Sequence, residues 1–227
     1  MDIRLLGPVE VRRGDVEVVV GARMPRTLLA ALAADAGRPV QVDTLVERVW
    51  GNAPPERPRN ALHVYVARLR AALGAGSVVR RSGGYLLDVP PGAVDVHQFR
   101  DLVATGRFSA ALDLAHGVPL ADLSGPWAER TRTAWERRYV DAAVAWARQE
   151  LASGDPERVV GRLGDLCDSH PIAEPLSAAL MLALDSVGRR AEALHRFAAT
   201  RQWLRAELGA EPGPQLRAVH LSLLRSA

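Results

Sequence analysis

The residues whose types and spacing suit chemistry are Asn60, His63, Arg68 and Arg70, preceded by Arg57 and Arg59 and followed by Arg80 and Arg81. Arginine offers a planar fork of donors that fits guanine edges and phosphate oxygens. Asparagine can pair with adenine, and histidine can donate to guanine or phosphate. Between Glu56 and Arg81 there are six arginines and one acid, a natural footprint for a phosphate backbone. No comparable constellation points to catalysis. The six histidines, His63, His97, His116, His170, His195 and His220, lack metal-ligand spacing, and neither a nucleophile elbow nor a glycine-rich phosphate loop is present. All 29 basic residues are arginine, so a Walker lysine, a Schiff-base lysine and the usual kinase lysine are excluded. Glu207 and Glu211, beside Leu208 and Pro212, fit solvated carboxylates at a helix end. The expectation is a protein that is not an enzyme and has no cofactor and no metal.

The element that must position the first four residues is a helix over 58–73. At about 100° per residue Leu62, Val66, Leu69 and Leu73 form one narrow apolar stripe with Tyr65 at its edge. Asn60, His63, Val64 and Ala67 point the other way, and Arg68 and Arg70 flank that exposed face on opposite sides. Small residues in the middle and forked donors at the margins suit close approach to a DNA groove. A solvated basic surface fits the isolated helix as well, and His63 equally fits a plain surface histidine. Arg57 and Arg59, near the helix N-terminus, suit phosphate contacts better than base contacts. Arg80 and Arg81 alternate along a strand, so at most one of them points squarely into a minor groove or at a phosphate. Trp50 and Tyr65 read as core.

The surroundings favour DNA. Ile3–Leu6, Val9–Arg12 and Val16–Val20 read as a small antiparallel sheet, separated by Gly7-Pro8 and by Arg13-Gly14-Asp15. A helix over Arg26–Ala36 follows Pro25 and ends at Gly37. Val40-Gln41-Val42 reads as extended, Asp43 as the N-cap of a second helix over Thr44–Trp50, and Gly51 as its end. After the basic helix, Val78–Arg81 and Tyr85–Val89 flank Ser82-Gly83-Gly84 as a hairpin. A helix-loop-helix with a basic second member and a basic hairpin behind it is a winged-helix layout. Residues 1–90 carry 13 arginines against 9 acids, whereas residues 91–227 carry 16 against 17, so only the first part is basic.

Pro90-Pro91-Gly92 marks the expected boundary between domains 1–90 and 91–227. Beyond it the sequence predicts helices over Val96–Thr105, Phe108–Ala115, Trp127–Ala152, Pro156–Ser169, Glu174–Val187, Arg190–Leu208 and Pro214–Arg225. Gly154 and Gly188 are 34 residues apart, and at the same offset Val159 answers Ala193 and Leu163 answers Phe197. This is a tetratricopeptide-like period, with about three helix pairs and a final capping helix. The fold class is therefore mostly α with a small β component: an N-terminal winged helix-turn-helix followed by an all-α helical-repeat domain. The 48% hydrophobic and 24% charged content fits a globular chain. With no charged leader before an apolar run and no apolar run near the roughly 18 residues of a membrane span, it is expected in the cytoplasm and away from membranes. Cys167 lacks a second thiol and reads as a small core residue.

Leu62-His-Val-Tyr-Val-Ala-Arg-Leu-Arg70, followed by Gly84-Tyr85, resembles the recognition helix and wing of the OmpR/PhoB-type winged helix. That resemblance points at Arg68 and Arg70 as base and phosphate contacts. Ala67 stands where the family often has another basic residue. Leu182–Phe197, Leu204-Arg-Ala-Glu-Leu-Gly-Ala-Glu-Pro212, Leu216–His220, Pro119–Asp122 and Trp127-Ala128 resemble the bacterial transcriptional activator domain. Together the halves resemble the Streptomyces antibiotic regulatory protein family along essentially the whole chain. The resemblance implies a nucleoid-associated transcriptional activator of a secondary-metabolite cluster that binds promoter direct repeats in double-stranded DNA. It also implies self-association on DNA and recruitment of RNA polymerase holoenzyme. The rival expectation is a helical-repeat interaction scaffold whose winged helix does not read DNA; the arginines between Arg57 and Arg81 weigh against it.

Overall fold

The structure, a computed structural model, describes residues 1–225. The chain forms two compact units that divide between Arg137 and Arg138. In the first, β1 (Asp2–Arg4), β2 (Glu10–Arg13) and β3 (Val16–Glu17) make an antiparallel sheet in that order. Ile3 lies opposite Val11, and both are buried. β3 is shorter than the valine run predicts: Val18 N still donates to Val11 O, and the chain then leaves the sheet. Helix α1 (Arg23–Ala33) starts and ends three residues before the expected bounds. Pro25 is its third residue, where a missing N–H has no intrahelical partner to lose.

β4 (Val40–Gln41) runs directly into α2 (Val42–Trp50), so Asp43 lies in the first turn instead of capping the helix. There its charge complements the helix dipole. α3 (Pro58–Leu73) begins on its proline and buries Leu62, Val66, Leu69 and Leu73. Each such burial contributes about 1.5–3 kcal/mol before the entropy of ordering is subtracted. Trp50 and Tyr65, both half-buried, stack at 5.7 Å between α2 and α3. β5 (Val78–Arg81) and β6 (Gly84–Leu87) form the expected hairpin, and β4 joins it on the far side of β6.

The stretch after the hairpin continues to pack within the same unit. A 3-10 turn over Pro91–Ala93 leads to α4 (Asp95–Ala104), α5 (Phe108–Leu112) and α6 (Pro126–Ser153). α5 stops three residues before the expected Ala115. The backbone of Leu5-Leu6 is satisfied almost entirely from here. Both N–H groups donate to the Asp95 carboxylate, Leu5 O accepts from Leu120 N, and Leu6 O accepts from His116 N. Val9 N donates to Asp122 Oδ1, whose other oxygen pairs with Arg26. Arg132 donates to the carbonyls of Pro119, Leu120 and Leu123, which fixes the loop carrying Asp122. The Pro90–Gly92 stretch therefore lies inside the first packing unit.

The second unit contains the rest of α6, then α7 (Pro156–Ser169), α8 (Glu174–Ser186), α9 (Arg190–Leu208) and α10 (Pro214–Arg225). These bounds match the sequence expectation to within a residue. α8 packs against α7, α9 and α10. Val159, Leu163 and Ala193 are fully buried, while Phe197 is half-buried and stacks on His220 at 3.8 Å. A buried Ser177–Thr200 hydrogen bond of 2.8 Å sets the register of α8 on α9. Cys167 is buried, and desolvation pushes its thiol up to about 11. Among the described residues no helix is long and apolar enough to cross a membrane.

Candidate nucleic-acid interface

The apolar stripe of α3 faces the core, which leaves a crest of Asn60, Val64, Ala67 and Ala71 exposed on the opposite side. These four recur at intervals of four, three and four residues and so share one line along the helix. The donors stand beside it. Arg57 and Arg68 are exposed on one flank, with no partner among the described residues. On the other flank His63 meets the edge of Tyr85 in β6 at a centroid distance of 6.3 Å. Arg70, half-buried, donates from Nε to Val78 O at 2.8 Å and so ties α3 to β5. Arg59 pairs with Asp43 at 3.0 Å. Their side chains are 70% and 82% exposed, and a pair so exposed contributes only about 0–1 kcal/mol, little hindrance to exchange for a phosphate. At the end of α3, Arg13 Nη2 donates to Leu73 O at 3.0 Å and satisfies one of its terminal carbonyls.

The hairpin is held as firmly. Ser82 and Gly83 have φ of 47° and 77°, the two left-handed residues of a tight turn whose twist matches the flanking strands. Gln41 Nε2 donates to Ser82 O at 3.0 Å and braces that turn from β4. Gly84 permits this third strand, because a Cβ there would fall 2.0 Å from Val40 O. Arg80 lies opposite Tyr85 and Arg81 opposite Gly84. Directly opposed residues share a sheet face. Arg80 is thus on the face that Tyr85 turns toward His63 of α3, and Arg81 is on the other. Both are exposed and without a partner among the described residues.

The eight residues singled out from sequence thus fall into three groups. Asn60, His63, Arg57 and Arg68 lie open on α3, Arg80 and Arg81 lie open on the hairpin, and Arg59 and Arg70 already hold protein partners. Two supports, Gln41 and Arg13, were not anticipated. Gly84, expected in the turn, is instead the first residue of β6, where its missing side chain admits β4.

Comparison with known proteins bears on the family of the chain. The family described as "Bacterial transcriptional activator domain" matches residues 94–224, and "Transcriptional regulatory protein, C terminal" matches residues 17–87. The chain is 33% identical over 236 residues to the regulatory protein AfsR of Streptomyces griseus, covering 98% of this chain and 24% of that protein. It is 32% identical over 252 residues to the regulatory protein DnrI of Streptomyces peucetius, covering 100% of this chain and 93% of that one. A solved structure of Mycobacterium tuberculosis EmbR, in complex with a low-affinity phosphopeptide, superposes with a TM-score of 0.87 at 32% identity. That match covers 99% of this chain and 65% of the EmbR chain. With both matched regions in order along one chain, and relatives of this kind across its length, the chain belongs to the Streptomyces antibiotic regulatory protein family of transcriptional activators.

Proposed function

We propose that this chain activates a secondary-metabolite (antibiotic) gene cluster by binding direct repeats in its promoter and recruiting RNA polymerase holoenzyme. The observation that carries the DNA half is the placement of unpartnered Arg57 and Arg68 beside the open crest of α3, with unpartnered Arg80 and Arg81 on the adjoining hairpin. In this reading α3 enters the major groove. Arg68, Asn60 and His63 reach base edges, while Arg57, Arg59 and the hairpin arginines grip phosphates. Arg70 acts at the junction of α3 and β5, holding the hairpin at a fixed distance from the groove-facing helix. Tandem repeats would bring protomers side by side on one DNA face, and the helical unit supplies surface for neighbour or polymerase contacts.

The test is a gel-shift titration with duplexes selected from a random pool by the purified chain. Arg68→Ala is expected to cost about 1–3 kcal/mol and to relax preference at one position, whereas Arg57→Ala weakens all sequences alike and lowers the salt slope by about one. Unchanged affinity and preference for Arg68→Ala would refute this docking. If no duplex is enriched at moderate salt, the chain is a helical-repeat scaffold that does not read DNA. Polymerase recruitment is checked separately by run-off transcription from a promoter carrying the selected repeats, with and without residues 138–227.

A further inference from the structure

The crest of α3 carries a branched apolar side chain at its middle in place of a hydrogen-bond donor. Val64 is 50% exposed at its middle, with exposed Ala67 and Ala71 beyond it and Asn60 one turn before it. The buried stripe is complete without Val64: Leu62, Val66, Leu69 and Leu73 already fill the core side. The nearest donors stand on the flanks, and of these Arg70 is turned to Val78 O and His63 lies against Tyr85. Whatever lies directly beneath Val64 in a groove is therefore met by methyl groups. Among base edges in the major groove, only thymine presents a methyl group of its own, whereas guanine, adenine and cytosine present polar atoms that an apolar contact would leave unpaired.

The geometry points to Val64 as a specificity residue that packs on the 5-methyl group of a thymine in the operator. This rests on the major-groove docking of α3 proposed above. Asn60, one helical turn away on the same crest, is placed to pair with an adenine on an adjoining step, so the centre of each half-site is an A·T-rich step. The flanking arginines take guanines or phosphates outside it. Ala67 belongs to the same device: a short side chain there lets the crest approach until the valine methyls touch the base.

The experiment uses the full chain and the duplexes it selects from a random pool, resynthesised with deoxyuridine replacing one thymine at a time. Deoxyuridine keeps every Watson–Crick group and removes only the methyl. Burial of one methyl-sized group corresponds to about a four-fold change in affinity. At one position the wild-type chain should bind the uridine duplex about four-fold more weakly. Val64→Ala should bind the thymine duplex about that much more weakly and show no further loss with uridine. Val64 is exposed and alanine favours helix, so this variant keeps its fold. If the wild type and Val64→Ala respond alike to uridine at every position, or if neither responds, the assignment of Val64 is wrong. Should Arg68→Ala still relax base preference, the docking of α3 stands while the thymine contact falls. If no duplex is enriched at all, the docking fails and the thymine contact with it.

Discussion

Arg70 shows how a residue with one expected role can carry another. Its spacing from Arg68 suggests a pair of groove contacts, yet Nε is bonded to Val78 O, and the guanidinium is half-buried between α3 and β5. Removing that donor leaves a partly buried carbonyl unpaired. Arg70→Met, which keeps the aliphatic stem, is therefore expected to lower stability by about 1–3 kcal/mol. Arg68→Met touches no protein partner and should stay within about 0.5 kcal/mol of wild type. Urea denaturation of the two variants distinguishes the roles: equal stability losses would mean that the Val78 bond contributes nothing special. The exposed residues of α3 were legible from the helical wheel because the apolar stripe fixes the helix rotation. The commitment of Arg70 was not, since it depends on where β5 passes, which the period of α3 does not encode.

Three helices of the second unit were read to the residue, although α1, also flanked by proline and glycine, was not. α7, α9 and α10 have the expected bounds, for Pro156, Pro214 and Gly209 permit few alternatives at helix ends. β3 and α5 fell short because valine-rich or alanine-rich composition signals a propensity, and pairing or packing decides where it is used. β4 was visible only as an extended stretch; its place beside β6 spans more than forty residues and was not read from the sequence. In the helical unit, Glu211 ties α9 to the turn before α10 by accepting from Arg201 at 2.8 Å and from Arg205. Those two hydrogen bonds hold its carboxyl below the ordinary value of 4.5. A depressed acid stabilises the folded state above its unfolded pKa and loses that effect as pH falls through the folded value. Wild type should therefore exceed Glu211→Gln in stability at pH 6. Thermal melts between pH 7 and 3 should show the gap closing below about 4.5, and a gap independent of pH would rule out the charged clamp.

The first packing unit is larger than the winged helix it contains. Asp95, His116, Leu120 and Asp122 satisfy backbone groups of Leu5, Leu6 and Val9, and His97 Nε2 hydrogen-bonds Ala33 O at 3.0 Å. Burial raises the Asp95 carboxyl above its ordinary value against the opposing pull of the Leu6, Leu5 and Val96 N–H groups. A fragment of residues 1–90 leaves these groups without protein partners, at about 1–3 kcal/mol for each that stays buried. For a domain of this size 1 kcal/mol shifts Tm by about 4–8 °C. Residues 1–90 should therefore melt at least roughly 10 °C below residues 1–137, and equal melting points by calorimetry would show that the later segment is dispensable. The same hydrogen bonds affect how the chain is made. Asp95 is 90 residues from Leu5, and Asp122 is 113 residues from Val9. At a synthesis rate of about 5–20 residues per second, the partner of Val9 follows it by roughly 6–23 s. For that interval the N–H of Val9 stays bound to water, although β1 can already pair with β2. Leu5–Val9 are thus made well before they can become native, and a nascent-chain pause before Asp122 would hold the first packing unit open.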